Sequence, residues 1–166
     1  VLTKPVSRGM YVTGIMLGII ATVMVNIAVM ALILFGIIVW QKGIGGIPYF
    51  YSVLFIFYKL SIISAIGVLF SIVADSIVTA NIFTFSMYII AHAVVEIKML
   101  AEKVENPLYK YILEGVYYIL PNMRVLNFRD YLKDIEPNII KVTVYVIGYI
   151  AITIAVSNII FSKKKI

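Results

Sequence analysis

YVTGIMLGIIATVMVNIAVMALILFGIIVW, residues Tyr11–Trp40, contains no Asp, Glu, Lys, Arg or His. The hydrocarbon core of a bilayer is about 30 Å thick, and about 20 helical residues cross it. This stretch is long enough to cross with a tilt or to run past the bilayer. Trp40 closes it, where an indole ring favours the membrane–water interface. Charge is then nearly absent until Ala91 and crowds into Glu96–Lys141.

The composition agrees. Hydrophobic residues make up 63% of the chain and charged residues 13%, against about 45–50% and 25% in ordinary soluble domains. A soluble fold of this length cannot bury that much apolar surface. The absence of cysteine excludes disulfides and thiolate metal sites. The net charge of +6 does not mark a nucleic-acid binder. Its cations are scattered, and Lys163–Lys165 form a tail beside an apolar run, as at a cytoplasmic membrane flank.

Working outward, four spans are predicted: about 11–40, 49–74, 77–97 and 139–161. All must be helical, because unpaired backbone groups are intolerable in lipid. The short alternating segments of a β-barrel are missing. The expectation is an all-α polytopic membrane protein, a single transmembrane domain over 1–166. Gln41–Pro48, with three glycines and a proline, reads as a tight loop. Only Asp75 and Ser76 part the second and third spans, so these form a tight antiparallel pair. An even number of spans puts both ends on one side. Lys4, Arg8 and Lys163–Lys165 assign that side to the cytoplasm, although Lys42 and most other cations then lie outside. The opening Val1-Leu2-Thr3 carries no signal-peptide pattern and looks internal to a longer protein.

Residues 98–137 are more than a loop. Asn106 can cap a helix with Pro107 in its first turn. Leu108, Tyr111, Ile112, Val116, Ile119 and Leu120 recur at helical spacing, and Pro121 stops the run. This predicts an interfacial or re-entrant helix before the last span. Asn127–Glu136 has the composition for a second short helix.

Ionisable groups inside spans are functional candidates, because burying them is costly unless they are paired or wet. Lys59 in the second span and His92 in the third fall at about the same height. Glu96 lies four residues after His92, on the same helix face. A Lys59–Glu96 pair is therefore available. It either ties two helices together or serves a translocation path or proton relay. Asn26 in the first span reads as a helix-to-helix or substrate contact. Gly14 and Gly18 make a small-xxx-small pair that permits close helix packing. One histidine without cysteine leaves no zinc or copper set, and no phosphate-cradling or nucleophile motif is present. No enzyme activity, metal or cofactor is expected.

Three motifs resemble one family. Lys4-Pro5-Val6-Ser7-Arg8, followed by Tyr11, Gly14 and Gly18, is similar to the K-P-[VI]-S-R-x-x-[YF]-x-x-G-K-x-x-G stretch of ABC-2-type transporter permeases. Ile15 stands where many members carry Lys. Tyr88-Ile89-Ile90-Ala91-His92 is similar to their Y-L-I-G-H. Tyr117-Tyr118-Ile119-Leu120-Pro121-Asn122, with Asn127, Arg129 and Asp130 after it, resembles Y-L-L-P-N-x-x-x-x-N-x-[RK]-D, especially in the branch grouped with copper-enzyme maturation permeases. The matches fall in order and frame nearly the whole chain. The resemblance implies a six-span permease, of which this chain holds the last four spans. It implies a cytoplasmic coupling segment at 1–10, a partner ATP-binding subunit that hydrolyses ATP, a second permease protomer, and an external helical element before the last span. The alternative is a four-span structural or proton-conducting subunit of a membrane complex.

Overall fold

The computed structural model of the chain describes residues 8–42, 47–127 and 138–164. Among them are six helices and no strand. These are α1 (Arg8–Lys42), α2 (Ile47–Val73), α3 (Ile77–His92), α4 (Val94–Lys103), α5 (Pro107–Ile119) and α6 (Ile139–Lys163).

The apolar runs are rich in Ile and Val, which favour strands in half-buried sheets. In lipid the backbone must bond within its own segment, and that decides for helix. The hydroxyls inside these helices obey the same rule. Thr22, Ser61, Thr84, Thr143 and Thr153 each donate to the carbonyl four residues back. The other helices use ordinary punctuation. Ser76 Oγ caps α3 by accepting from Thr79 N at 3.1 Å. Asn106 Oδ1 caps α5 by accepting from Leu108 N at 3.0 Å, with Pro107 in the first turn.

The chain passes four times between two ends. At one end Tyr11 of α1 stacks on Phe161 of α6, with ring centroids 5.9 Å apart. There Lys164 Nζ, just past α6, donates to Ile72 O in the last turn of α2 at 2.9 Å. At the other end Tyr58 and Thr143 share a hydrogen bond of 2.8 Å. So α2 and α6 run parallel, with α1 and α3 opposed to them. Helix α2 is central and packs on α1, α3 and α6. Its Phe55, Ile62 and Ile66 join Ala91, Met123, Leu126, Val142 and Val146 in the core.

Helices α1, α2 and α6 are each long and apolar enough to cross a membrane. The third expected span, about 77–97, is a bent pair of helices rather than one straight helix. Its first helix stops at His92, and α4 leaves at a bend of 55°. Ala93, at φ −91° and ψ 7°, donates to both Ile89 O and Ile90 O and tightens the last turn. Helix α4 continues from there and packs side by side with α5. Lys98 Nζ lies 5.4 Å from the Tyr117 ring centre. Helix α5 buries no residue, and Leu108, Tyr111, Tyr118 and Ile119 stay exposed.

Two further expectations change. The small-xxx-small seam of α1 is unused among the described residues. A methyl group at Gly14 or Gly18 would meet nothing within 4 Å. Helix α1 packs instead through Val12 and Met16, and nothing on it beyond Met16 is buried. Beyond Met16 its contact face is only half-buried, at positions such as Ile20, Val23, Ile27 and Ala31, and most of the rest stays exposed, which lipid allows and water would not. Asn26 does not reach another helix; its Nδ2 donates to Thr22 O at 2.9 Å. The Gly-rich stretch 43–46 and the second short helix expected within 127–136 fall outside the described residues, Asn127 excepted.

Candidate functional site

The densest polar geometry among the described residues lies at one end of the bundle, where α3 stops and α6 begins, around the turn Pro121–Asn127. This turn begins where Pro121 cannot continue α5. Asn122 folds it locally. Its Oδ1 accepts from Arg124 N at 3.1 Å and from Val125 N at 3.4 Å, an Asx turn. Leu126 N then donates to Met123 O and Asn127 N to Arg124 O.

Each remaining group of the turn ties down a different helix. Asn122 N donates to the Tyr145 hydroxyl of α6 at 2.7 Å. Met123 N donates to Ala91 O of α3 at 3.1 Å. That carbonyl is orphaned because the helix breaks at Ala93, so the turn caps the C-terminus of α3. Arg124 Nη1 donates to Glu96 Oε1 of α4 at 3.2 Å, with both side chains about half exposed. Asn127 Oδ1 accepts from Lys59 Nζ of α2 at 3.2 Å. The Met123 and Leu126 side chains, 0% and 2% exposed, enter the core. One short turn therefore clamps four helices.

The expected Lys59–Glu96 pair is not formed. Both residues reach the same turn but bind different groups on it. The 55° bend at Ala93 turns α4, and Glu96 with it, away from the axis of α3. His92 is the last residue of α3 and lies against its own helix. Its Nδ1 is 2.9 Å from Tyr88 O, and its ring centre is 4.5 Å from that of Tyr88. Among the described residues it makes no hydrogen bond to a hydroxyl or acid side chain. No group of three metal-ligating side chains is present among them either.

Of the other candidate residues, Leu120 and Pro121 start the turn. Lys4, Pro5, Val6 and Ser7 lie outside the described residues, as do Arg129 and Asp130; Arg8 opens α1. Sequence reasoning missed Tyr145, Met123 and Leu126. The usable signal was the apolar set Met123, Val125 and Leu126, broken only by Arg124, just after a Pro-Asn stop.

The separate partners give a measurable expectation. In a double-mutant cycle, Lys59→Met and Glu96→Gln should be additive within about 0.5 kcal/mol, since Lys59 bonds Asn127 while Glu96 bonds Arg124. Lys59→Met with Asn127→Ala should show coupling of about 0.5–3 kcal/mol, as expected of groups in contact. Coupling in the first cycle and none in the second, read from unfolding in detergent, would restore the direct Lys59–Glu96 pair.

The chain is thus an all-helical protein with three helices able to cross a membrane and a polar clamp at one end of its bundle. Compared with protein families, curated proteins and solved structures, it matches none.

Proposed function

We propose that the chain is a membrane-spanning permease subunit of an ATP-driven exporter of the ABC-2 type. One observation carries this reading. The Leu120-Pro121-Asn122…Asn127 motif, which resembles that family, coincides with the clamp that joins α2, α3, α4 and α6. A motif at a mechanical junction suits a protein whose task is to move helices together rather than to perform chemistry.

In this reading the chain crosses the membrane four times. Helix α3 alone is about 24 Å long, short of a hydrocarbon core of about 30 Å. The first turn of α4 completes that crossing, and the bend lays the rest of α4 with α5 into the outer interface. The exposed rings of Tyr109, Tyr111 and Tyr118 suit that depth. The start of α1 and the end of α6 share one end of the molecule. The lysines Lys163 and Lys164 assign that end to the cytoplasm. Lys4–Arg8 then reach the cytoplasmic surface and dock on an ATP-binding subunit, and a second permease protomer completes the transporter in the cell membrane. Lys59, His92 and Glu96 do not hydrogen-bond one another, so no observation favours the proton-conducting alternative.

The test is to isolate the full-length protein from its native membrane in mild detergent. The expected result is a co-purifying ATPase subunit and ATP hydrolysis by the complex. A complex with no nucleotide-binding partner and no hydrolysis contradicts the reading.

A further inference from the structure

We propose that the crevice between α1, α2, α3 and the end of α6 binds one anionic phospholipid from the leaflet at that end. This inference does not rest on the exporter reading.

The crevice has a volume of about 680 Å³, within the range of about 300–1,000 Å³ typical of small-ligand sites. It lies where α1, fully buried only at Val12 and Met16, runs beside the closely packed pair α2 and α3. Its character changes with depth. Ile15 and Ile19 of α1 and Ile63 and Val68 of α2 form largely apolar walls, interrupted by Ser64 of α2. The hydroxyl of Thr84, which also faces the crevice, is engaged by Ala80 O at 2.8 Å and adds no free polarity. An acyl chain fits such walls.

Nearer the mouth the lining becomes polar. Ser71 lies in the last turn of α2 and Asn81 in the second turn of α3. Asn81 makes no hydrogen bond among the described residues, and its amide stands about one turn inside the apolar zone. An amide at that depth is costly unless it meets a polar group. The ester and glycerol oxygens of a phospholipid lie at this level, between headgroup and chain.

At the rim stands Lys164, whose Nζ donates to Ile72 O. That bond pins a positive charge at the mouth and satisfies an orphan carbonyl of α2. Lys163 precedes it and is exposed, and Asp75 is the one acid among the described residues at this end. Among the described residues the balance is cationic, which favours a phosphate without a compensating choline. Chain, ester and phosphate levels thus line up in the order a phospholipid presents them.

The test reconstitutes the full chain in nanodiscs of phosphatidylcholine. These carry a trace of photoreactive phosphatidylglycerol or, separately, photoreactive phosphatidylcholine. The expected result is several-fold stronger cross-linking by the anionic probe, mapped to α1 and α3, and weakened by salt. Each lysine near an anionic headgroup contributes about fivefold. Lys163→Gln with Lys164→Gln should bring the two probes to near equality while chain cross-links remain. Ser71→Trp, at an exposed position that projects into the crevice, should remove cross-links to α1 and α3 for both probes. Equal labelling by both probes in the parent protein overturns the proposal. So do cross-links that map elsewhere, or anionic preference retained in both variants.

Discussion

Met123→Ala is expected to destabilise the protein by about 2–5 kcal/mol, the usual range for truncating a fully buried Met. The side chain is 0% exposed and packs in the cluster of Phe55, Ala91, Leu126 and Val146. Its backbone N–H holds the end of α3 through Ala91 O. Truncation leaves a cavity where α2, α3 and α6 meet, and this segment has no other fully buried long side chain except Leu126. The loss should loosen the whole clamp, so that protease cleavage near Arg124 rises together with the fall in stability. Met123→Leu conserves volume and should cost less than about 1.5 kcal/mol. Tyr118→Ala, at a residue 81% exposed, should leave unfolding in detergent nearly unchanged. A Met123→Ala protein as stable and as protease-resistant as its parent would show that the turn is not a structural junction.

On the exporter reading, Arg8→Glu is expected to abolish most of the coupling between this subunit and the proposed ATP-binding partner while leaving membrane insertion intact. The residue opens α1 and ends the Lys-Pro-Val-Ser-Arg stretch. Pro5 restricts its predecessor and can set a turn at the membrane surface. Arginines at the centre of an interface commonly contribute 2 kcal/mol or more, so reversal should weaken association roughly 30-fold. Charge reversal also places like charges together if the partner surface is acidic. The measurement is stimulated ATP hydrolysis by the reconstituted complex, with the amount of inserted protein held equal. Unchanged stimulation would remove the coupling role from this segment.

The apolar runs were legible because the bilayer leaves one backbone solution. Tyr11–Trp40 has no charge to interrupt it, and α1 runs through it and slightly beyond, from Arg8 to Lys42. Ile47 and Pro48, assigned to the loop by composition, lie inside the first turn of α2. That is where proline is tolerated, since the missing N–H would be unpaired anyway. The cap at Asn106 and the stop at Pro121 were legible for the same local reason.

The break at Ala93 was not legible. Ala91-His92-Ala93-Val94 contains no Gly or Pro, and nothing local ends a helix there. The break belongs to tertiary structure, in which the N–H of Met123 takes the Ala91 carbonyl. The misassigned Lys59 partner has the same root. Counting residues along two straight helices placed Glu96 beside Lys59, but the bend moved Glu96 and the distant turn supplied both partners. Position along an axis was readable; the direction of a side chain after a tertiary break was not. Asn26 failed differently, because its own helix offered a carbonyl four residues back and no neighbour was near.

The proposed exporter subunit requires four crossings that leave the coupling end and the lysine end together in the cytoplasm, with the clamp outside. The chain has no cysteine, so single-cysteine labelling reads this without background. Arg124→Cys and Ser162→Cys replace exposed residues near opposite ends of the bundle. With a membrane-impermeant maleimide on intact cells, the cysteine at 124 should label fully. The cysteine at 162 should label only after the membrane is permeabilised. Labelling of position 162 from outside, or equal protection of both positions, would contradict the four-crossing arrangement and the exporter reading built on it.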